Sequence, residues 1–216
     1  MKMNFAEKGE EMIEVISSEL KAYHQQKLDE FSKQNQVLPR GGIVFAGDSI
    51  VEFFPLKKYL KTDLPLINRG IAGTDTIWLS QHLKEQIWIL EPSKLFLWIG
   101  TNDLGEGLSI SDIVQRISDM IAAIKQESFY TEIYLLSVLP VNERSIYQER
   151  VKIRNNKDIQ ALNQDLSVLS GAQYLDLYDL LLDDIGNLAE AYTIDGLHLT
   201  QSAYHIIAKR LTKLAL

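Results

Sequence analysis

Gly42-Ile43-Val44-Phe45-Ala46, running directly into Gly47-Asp48-Ser49-Ile50, is the stretch on which the fold turns. Five uncharged, mostly apolar residues read as a short buried strand, and the Gly-Asp-Ser that follows ends it in a turn. Similar runs recur along the chain. Leu64-Pro65-Leu66-Ile67-Asn68 is a weaker second strand, and Lys94-Leu95-Phe96-Leu97-Trp98-Ile99 a clear third. Glu132–Val138 and Ala172–Leu177 read as a fourth and a fifth.

The intervals between these runs carry helical periodicity. Ser111-Asp112 opens a segment with Ile113, Ile117, Met120, Ile121 and Ile124 on one face. A second helix is expected from about Tyr147 to Leu169, with Arg, Lys, Gln and Asn outward. A third follows Thr200, an N-cap candidate, and carries Ala203, Ile206, Ile207, Leu211 and Leu214. Ahead of the first strand, Ile13, Ile16, Leu20, Tyr23 and Phe31 recur at helical spacing, so an amphipathic segment is expected at about 5–35. Apolar strands alternating with helices make an α/β chain with a parallel sheet covered on both faces. No linker, low-complexity tract or repeat interrupts it, and 216 residues suffice for one domain over 1–216.

Composition narrows the classes. Apolar residues make up 46% and charged residues 24%, as in ordinary globular proteins. With no cysteine, disulfides, thiolate zinc sites and a cysteine nucleophile are excluded, and a reducing compartment fits. Glu7, Glu10, Glu11 and Glu14 interrupt any secretory apolar stretch, and no run approaches the ~20 apolar residues of a membrane span. The expected location is the cytoplasm. A net charge of −7 argues against nucleic acid as a partner. No histidine pair stands at ligand spacing, so neither a metal nor another cofactor is expected.

In open parallel sheets, ligands bind outside the carboxyl ends of the strands. Ser49 follows the first strand, Gly73 the second and Asn102 the third, so three distant segments converge on one edge. Just before the last helix stands Asp195-Gly196-Leu197-His198. A serine hydroxyl needs a base to take its proton, and a carboxylate fixes the tautomer of that base. Each piece alone has an ordinary reading. Ser49 would cap a helix, Gly73 would make a turn, Asn102 would close a loop, and Asp195 and His198 would form a local turn and cap.

Together, Ala46-Gly47-Asp48-Ser49, Asn68-Arg69-Gly70-Ile71-Ala72-Gly73, Ile99-Gly100-Thr101-Asn102-Asp103 and Asp195-Gly196-Leu197-His198 resemble the four blocks of the SGNH (GDSL-like) hydrolase superfamily. The resemblance spans about residues 43–212. It is nearest to the platelet-activating-factor acetylhydrolase-like branch, through N-R-G-I-A-G-T-D-T, W-I-G-T-N-D and D-G-L-H-L-T. It implies a three-layer flavodoxin-like fold around a central five-stranded parallel sheet. It also implies a serine esterase or acylhydrolase acting on a small-molecule ester of short acyl chain, with Ser49 as nucleophile, His198 as base and Asp195 as its orienting acid. Ser49, Gly73 and Asn102 would supply the oxyanion donors, and a homodimer is an arrangement the resemblance allows. A lipase-type G-x-S-x-G elbow is absent, because Val51 stands where its second glycine would be.

Lesser roles are expected nearby. Asp48 and Asp103 read as loop residues that hold Ser49 and Asn102 in place. Arg69 and Arg144 have the reach to meet the pocket, and Pro140-Val141-Asn142-Glu143 forms one of its walls. His24, His82 and His205 read as structural or solvated, and Trp78, Trp88 and Trp98 as core. Two other function classes remain: a non-catalytic binding module on the same fold, and a phosphate or nucleotide binder using Gly100–Gly107. The second lacks both a P-loop lysine and G-x-G-x-x-G.

Overall fold

The structure is a computed structural model that describes residues 13–216. In chain order its main elements are α1 (Ser18–Gln34), β1 (Ile43–Gly47), α2 (Ser49–Glu52), β2 (Leu66–Gly70), β3 (Lys94–Trp98), α3 (Thr101–Gly105), α4 (Ile110–Glu127), β4 (Glu132–Leu136), α5 (Asn156–Leu166), β5 (Gln173–Leu175) and α6 (Gln201–Ala215). The five strands form one parallel sheet in the order β2-β1-β3-β4-β5.

Successive side chains of a strand point to opposite faces, and here each face feeds its own core. Val44, Ala46, Leu95 and Leu97 pack with Ile113, Ile117 and Met120 of α4 and with Ile159, Leu162 and Leu166 of α5. Ile43, Phe45, Phe96 and Trp98 pack on the other face with Tyr204, Ile207 and Leu211 of α6. The rings of Phe45 and Phe96, paired across β1 and β3, stack at 4.4 Å. Both faces are apolar and covered, giving a three-layer α/β sandwich.

The structure departs from the periodicity in several places, each for a local reason. The helix expected from Tyr147 to Leu169 is two pieces, Gln148–Val151 and α5. Lys152 takes a positive φ of 62°, and Asn155 caps the second piece by accepting the N–H of Asp158 at 2.9 Å. At the amino end, Ser17 accepts the N–H of Leu20 and starts α1 at Ser18, so Ile13 and Ile16 precede the helix. The part of that expected segment before residue 13 lies outside the described residues. Strand β2 begins at Leu66, two residues later than expected, after a proline that has no N–H to give. Helix α4 starts one turn-residue early, capped by Ser109. Strands β4 and β5 are shorter than their apolar runs. Trp98 is buried, whereas Trp78 and Trp88 sit half-buried at the margin.

Burial also shapes α2, the short helix after β1. Its N-cap is Asp48, which accepts the N–H of Ile50 at 2.9 Å and is 2% exposed. Burial pushes the Asp48 carboxyl up to about 7, against the pull of that N–H and of the nearby His198. Between about pH 4 and 7 the folded protein holds a proton that the unfolded chain has released, so stability falls as pH rises through that window. Asp48→Asn keeps a capping oxygen without the charge. Its melting-temperature advantage over the native chain should be near zero at pH 4, grow toward pH 7 and level off above it. Leu162→Ala, which opens a cavity between α5 and the sheet, should cost about 2–5 kcal/mol in urea unfolding.

Candidate active site

The parallel register brings three strand ends side by side: Gly47 pairs with Gly70 on one flank and with Trp98 on the other. Ser49, Gly73 and Asn102 lie in the segments that leave these ends. Ser49 is the first residue of α2 and is 4% exposed. Its helix is held from the same face of the sheet, where the Tyr204 hydroxyl of α6 donates to the Ile50 carbonyl at 2.9 Å.

The loop before α6 reaches over to the same place. His198 Nε2 lies 3.0 Å from Ser49 Oγ, and His198 Nδ1 lies 2.8 Å from Asp195 Oδ2. The other carboxylate oxygen accepts the backbone N–H groups of His198 and Leu197, at 2.8 and 3.2 Å. Burial alone would raise the Asp195 carboxyl; the hydrogen bonds from His198 and Leu197 outweigh it and hold the group well below the usual carboxylate range. A sharp turn makes this geometry. Gly196 takes φ of 89°, its N–H donates to Thr193 Oγ1 at 2.8 Å, and Thr193 Oγ1 in turn donates to the His198 carbonyl at 2.9 Å. The Phe53 ring lies 5.7 Å from the His198 ring and is half exposed at the rim.

The segments after β2 and β3 are tied to each other. Asn102 Nδ2 donates to the Thr74 carbonyl at 2.9 Å, and the Asp103 carboxylate accepts both the N–H and the hydroxyl of Thr76. Asp103 is fully buried, and burial raises its carboxyl despite those bonds from Thr76. Gly73, at φ 77°, packs so closely under Leu20 of α1 that a Cβ would lie 2.7 Å from Leu20 Cδ2. Among the described residues, the N–H groups of Ser49 and Gly73 have no hydrogen-bond acceptor, which leaves both for a ligand oxygen. Gly100–Gly107 is largely the helix α3, with Asn102 and Asp103 engaged.

Two arginines named from the sequence lie elsewhere. Arg144 is half exposed and pairs with Glu190 at the surface. Arg69, a residue of β2, is buried over the Phe31 ring and bonded to Gln34, Asn35 and the Asn68 carbonyl. Its place beside Pro140–Glu143 in the sequence cannot register which way the Arg144 side chain points. Asn142 itself belongs to the wall, its N–H donating to the Gly196 carbonyl at 2.8 Å.

Other residues reach the site without having been singled out. Arg150 Nε lies 3.1 Å from Asp195 Oδ2, and Arg154 Nη2 lies 3.1 Å from Asn102 Oδ1. Both come from the segment read as one helix with a solvated outer face; the break at Lys152 lies between them, with Arg150 half exposed and Arg154 buried. Helix α1 also contributes. His24 Nε2 bonds the Ala72 carbonyl at 2.9 Å, and Glu52, which Tyr23 and Lys27 meet, accepts the Ala72 N–H at 2.6 Å. The apolar spacing of α1 marked a packed helix but carried no sign of what it packs on. Among the described residues, no cluster of His, Asp or Glu could hold a metal ion, and no helix is long and apolar enough to cross a membrane.

The chain is similar to several known proteins. An N-acylneuraminate cytidylyltransferase of Escherichia coli O18:K1:H7 is 28% identical over 84% of the chain, which spans only 42% of that protein's length. The platelet-activating factor acetylhydrolase IB subunit alpha2 of Gallus gallus is 26% identical, over 80% of this chain and 75% of its own. A solved structure from Streptococcus pneumonia, named after platelet activating factor, superposes with a TM-score of 0.86 at 35% identity, over 90% of this chain and 93% of that one. Residues 45–206 match the model of the GDSL-like Lipase/Acylhydrolase family. That match contains the ends of β1, β2 and β3 and the loop before α6, and the chain belongs to the GDSL-like lipase/acylhydrolase family.

Proposed function

We propose that the protein is a serine esterase that cleaves a small carboxylic ester of short acyl chain, such as acetyl, by two-step transfer of the acyl group to water. The observation that carries this reading is the continuous hydrogen-bond chain from Ser49 Oγ through both nitrogens of His198 to Asp195. His198 takes the proton of Ser49 as Oγ attacks the ester carbonyl carbon. The carbonyl electron pair moves onto oxygen, where the N–H groups of Ser49 and Gly73 and Nδ2 of Asn102 receive it. Collapse of this intermediate breaks the ester bond, and His198 protonates the departing alcohol. Water then gives a proton to His198 and attacks the acyl-serine. The second collapse releases the carboxylic acid and returns a proton to Oγ.

Asp195 stays ionised throughout in this scheme. Its depressed carboxyl supports that, since the charge that stabilises an imidazolium on His198 is held in place by three hydrogen bonds. A short acyl group is supported by the name of the Gallus gallus relative, an acetylhydrolase. The nucleotide chemistry in the Escherichia coli relative's name is not carried over, because the chain spans less than half of that protein. The absence of cysteine fits a cytoplasmic setting for the reaction.

Ser49→Ala should abolish hydrolysis of p-nitrophenyl acetyl ester while leaving the melting temperature within a few degrees of native. Native protein, and not the variant, should be labelled by a fluorophosphonate probe; unlabelled native protein would favour a binding module instead. Across a series of p-nitrophenyl esters, kcat/KM should fall as the acyl chain lengthens beyond about four carbons, and a rise toward long chains would overturn the short-acyl reading.

A further inference from the structure

We propose that Arg154 is a positioning residue for the oxyanion donor Asn102, a role that rests on the esterase reading above. The Arg154 side chain is completely buried. Its Nε donates to the Thr101 carbonyl at 2.7 Å and its Nη1 to the Val151 carbonyl at 3.3 Å. Nη2 donates to Asn102 Oδ1 at 3.1 Å and pairs with the Glu14 carboxylate.

An asparagine amide has one accepting end and one donating end, and packing alone distinguishes them poorly. A guanidinium only donates, so the end of Asn102 that faces Arg154 must be the oxygen. From the opposite side, the Thr74 carbonyl only accepts, so the end facing it must be the nitrogen. The two partners therefore impose the same orientation. One amide hydrogen is used on Thr74, and the second remains for the oxygen of a bound ester. The guanidinium also draws electron density from Oδ1, which makes the remaining N–H a stronger donor toward developing negative charge.

The seat of Arg154 is built for it. Gly105 lies against the guanidinium so closely that any side chain there would occupy its place. Glu14 neutralises the buried cation, and its backbone N–H donates to the Gly105 carbonyl at 2.9 Å. The segment ahead of α1 thus closes over the back of the oxyanion donor.

The test is a double-mutant cycle on a short-chain p-nitrophenyl ester, using Arg154→Met, Asn102→Ala and both together. Removing a whole oxyanion donor costs about 10²–10³ in kcat, and releasing its orientation costs part of that. Arg154→Met should therefore lower kcat about ten- to a hundredfold while KM changes less than about threefold. In the Asn102→Ala background the same change should cost less than about twofold. Arg154→Lys keeps the charge but cannot reach Thr101 and Asn102 together, and it runs the same cycle if the methionine variant does not fold. Equal losses in both backgrounds, or a raised KM with unchanged kcat, would show that Arg154 serves the fold alone. Ser49→Ala separates the two failures. Turnover surviving in that variant overturns the esterase reading and the proposal with it, whereas lost turnover beside additive Arg154 and Asn102 costs overturns the role of Arg154 alone.

Discussion

The pairing of Gly47 with both Gly70 and Trp98 is the constraint from which the rest of the molecule follows. In a parallel sheet all strands point the same way, so strands that end in register deliver their following residues to one line. Here that line carries Ser49, the turn around Gly73, and Asn102. A slip of the register by one residue would exchange the two faces of a strand and bury the wrong set of side chains. The two apolar cores, Val44 and Ala46 against α4 and α5, and Ile43 and Phe45 against α6, hold that register from both sides. Packing energy far from the site thereby fixes the positions of groups within it.

Around this edge, buried polar side chains are hydrogen-bonded to other groups of the protein. Asp48 caps α2, Asp103 binds Thr76, Asn102 binds Thr74, and Arg154 binds Thr101 and Asn102. Each bond joins segments that are distant in sequence or turns a strand end into a helix start. Their burial makes the bonds strong and their loss costly, which suits a site whose donors must be in place before charge develops. The raised carboxyl of Asp48 is the cost of this arrangement: stability is given up as pH rises from about 4 to 7, beside a residue the proposed reaction uses.

The loop from Thr193 to Leu199 shows how little chain is needed to complete the site. Its own hydrogen bonds, through Thr193, Asp195 and Gly196, preform the relation of carboxylate to imidazole before Ser49 is met. The two outer positions, Phe53 against His198 and Arg150 against Asp195, are each about half exposed.

By itself the sequence determined the alternation of buried strands with amphipathic helices, hence the parallel sheet, and the four short blocks that stand at its edge. Those features are local: a strand end, a Gly-containing turn and a D-x-x-H spacing each depend on a few adjacent residues. Only the tertiary structure decided which charged side chains reach the site. Arg144 and Arg154 sit in similar polar surroundings along the chain, yet one pairs with Glu190 at the surface and the other is buried against Asn102. The difference arises at Lys152, where a single positive-φ residue and the Asn155 cap end one helix and start another. Likewise, α1 carries a legible apolar stripe, but its contacts with Ala72 and Gly73 depend on where the sheet sets the end of β2. Periodicity records which face of an element is buried; what that face is buried against is a property of the whole chain.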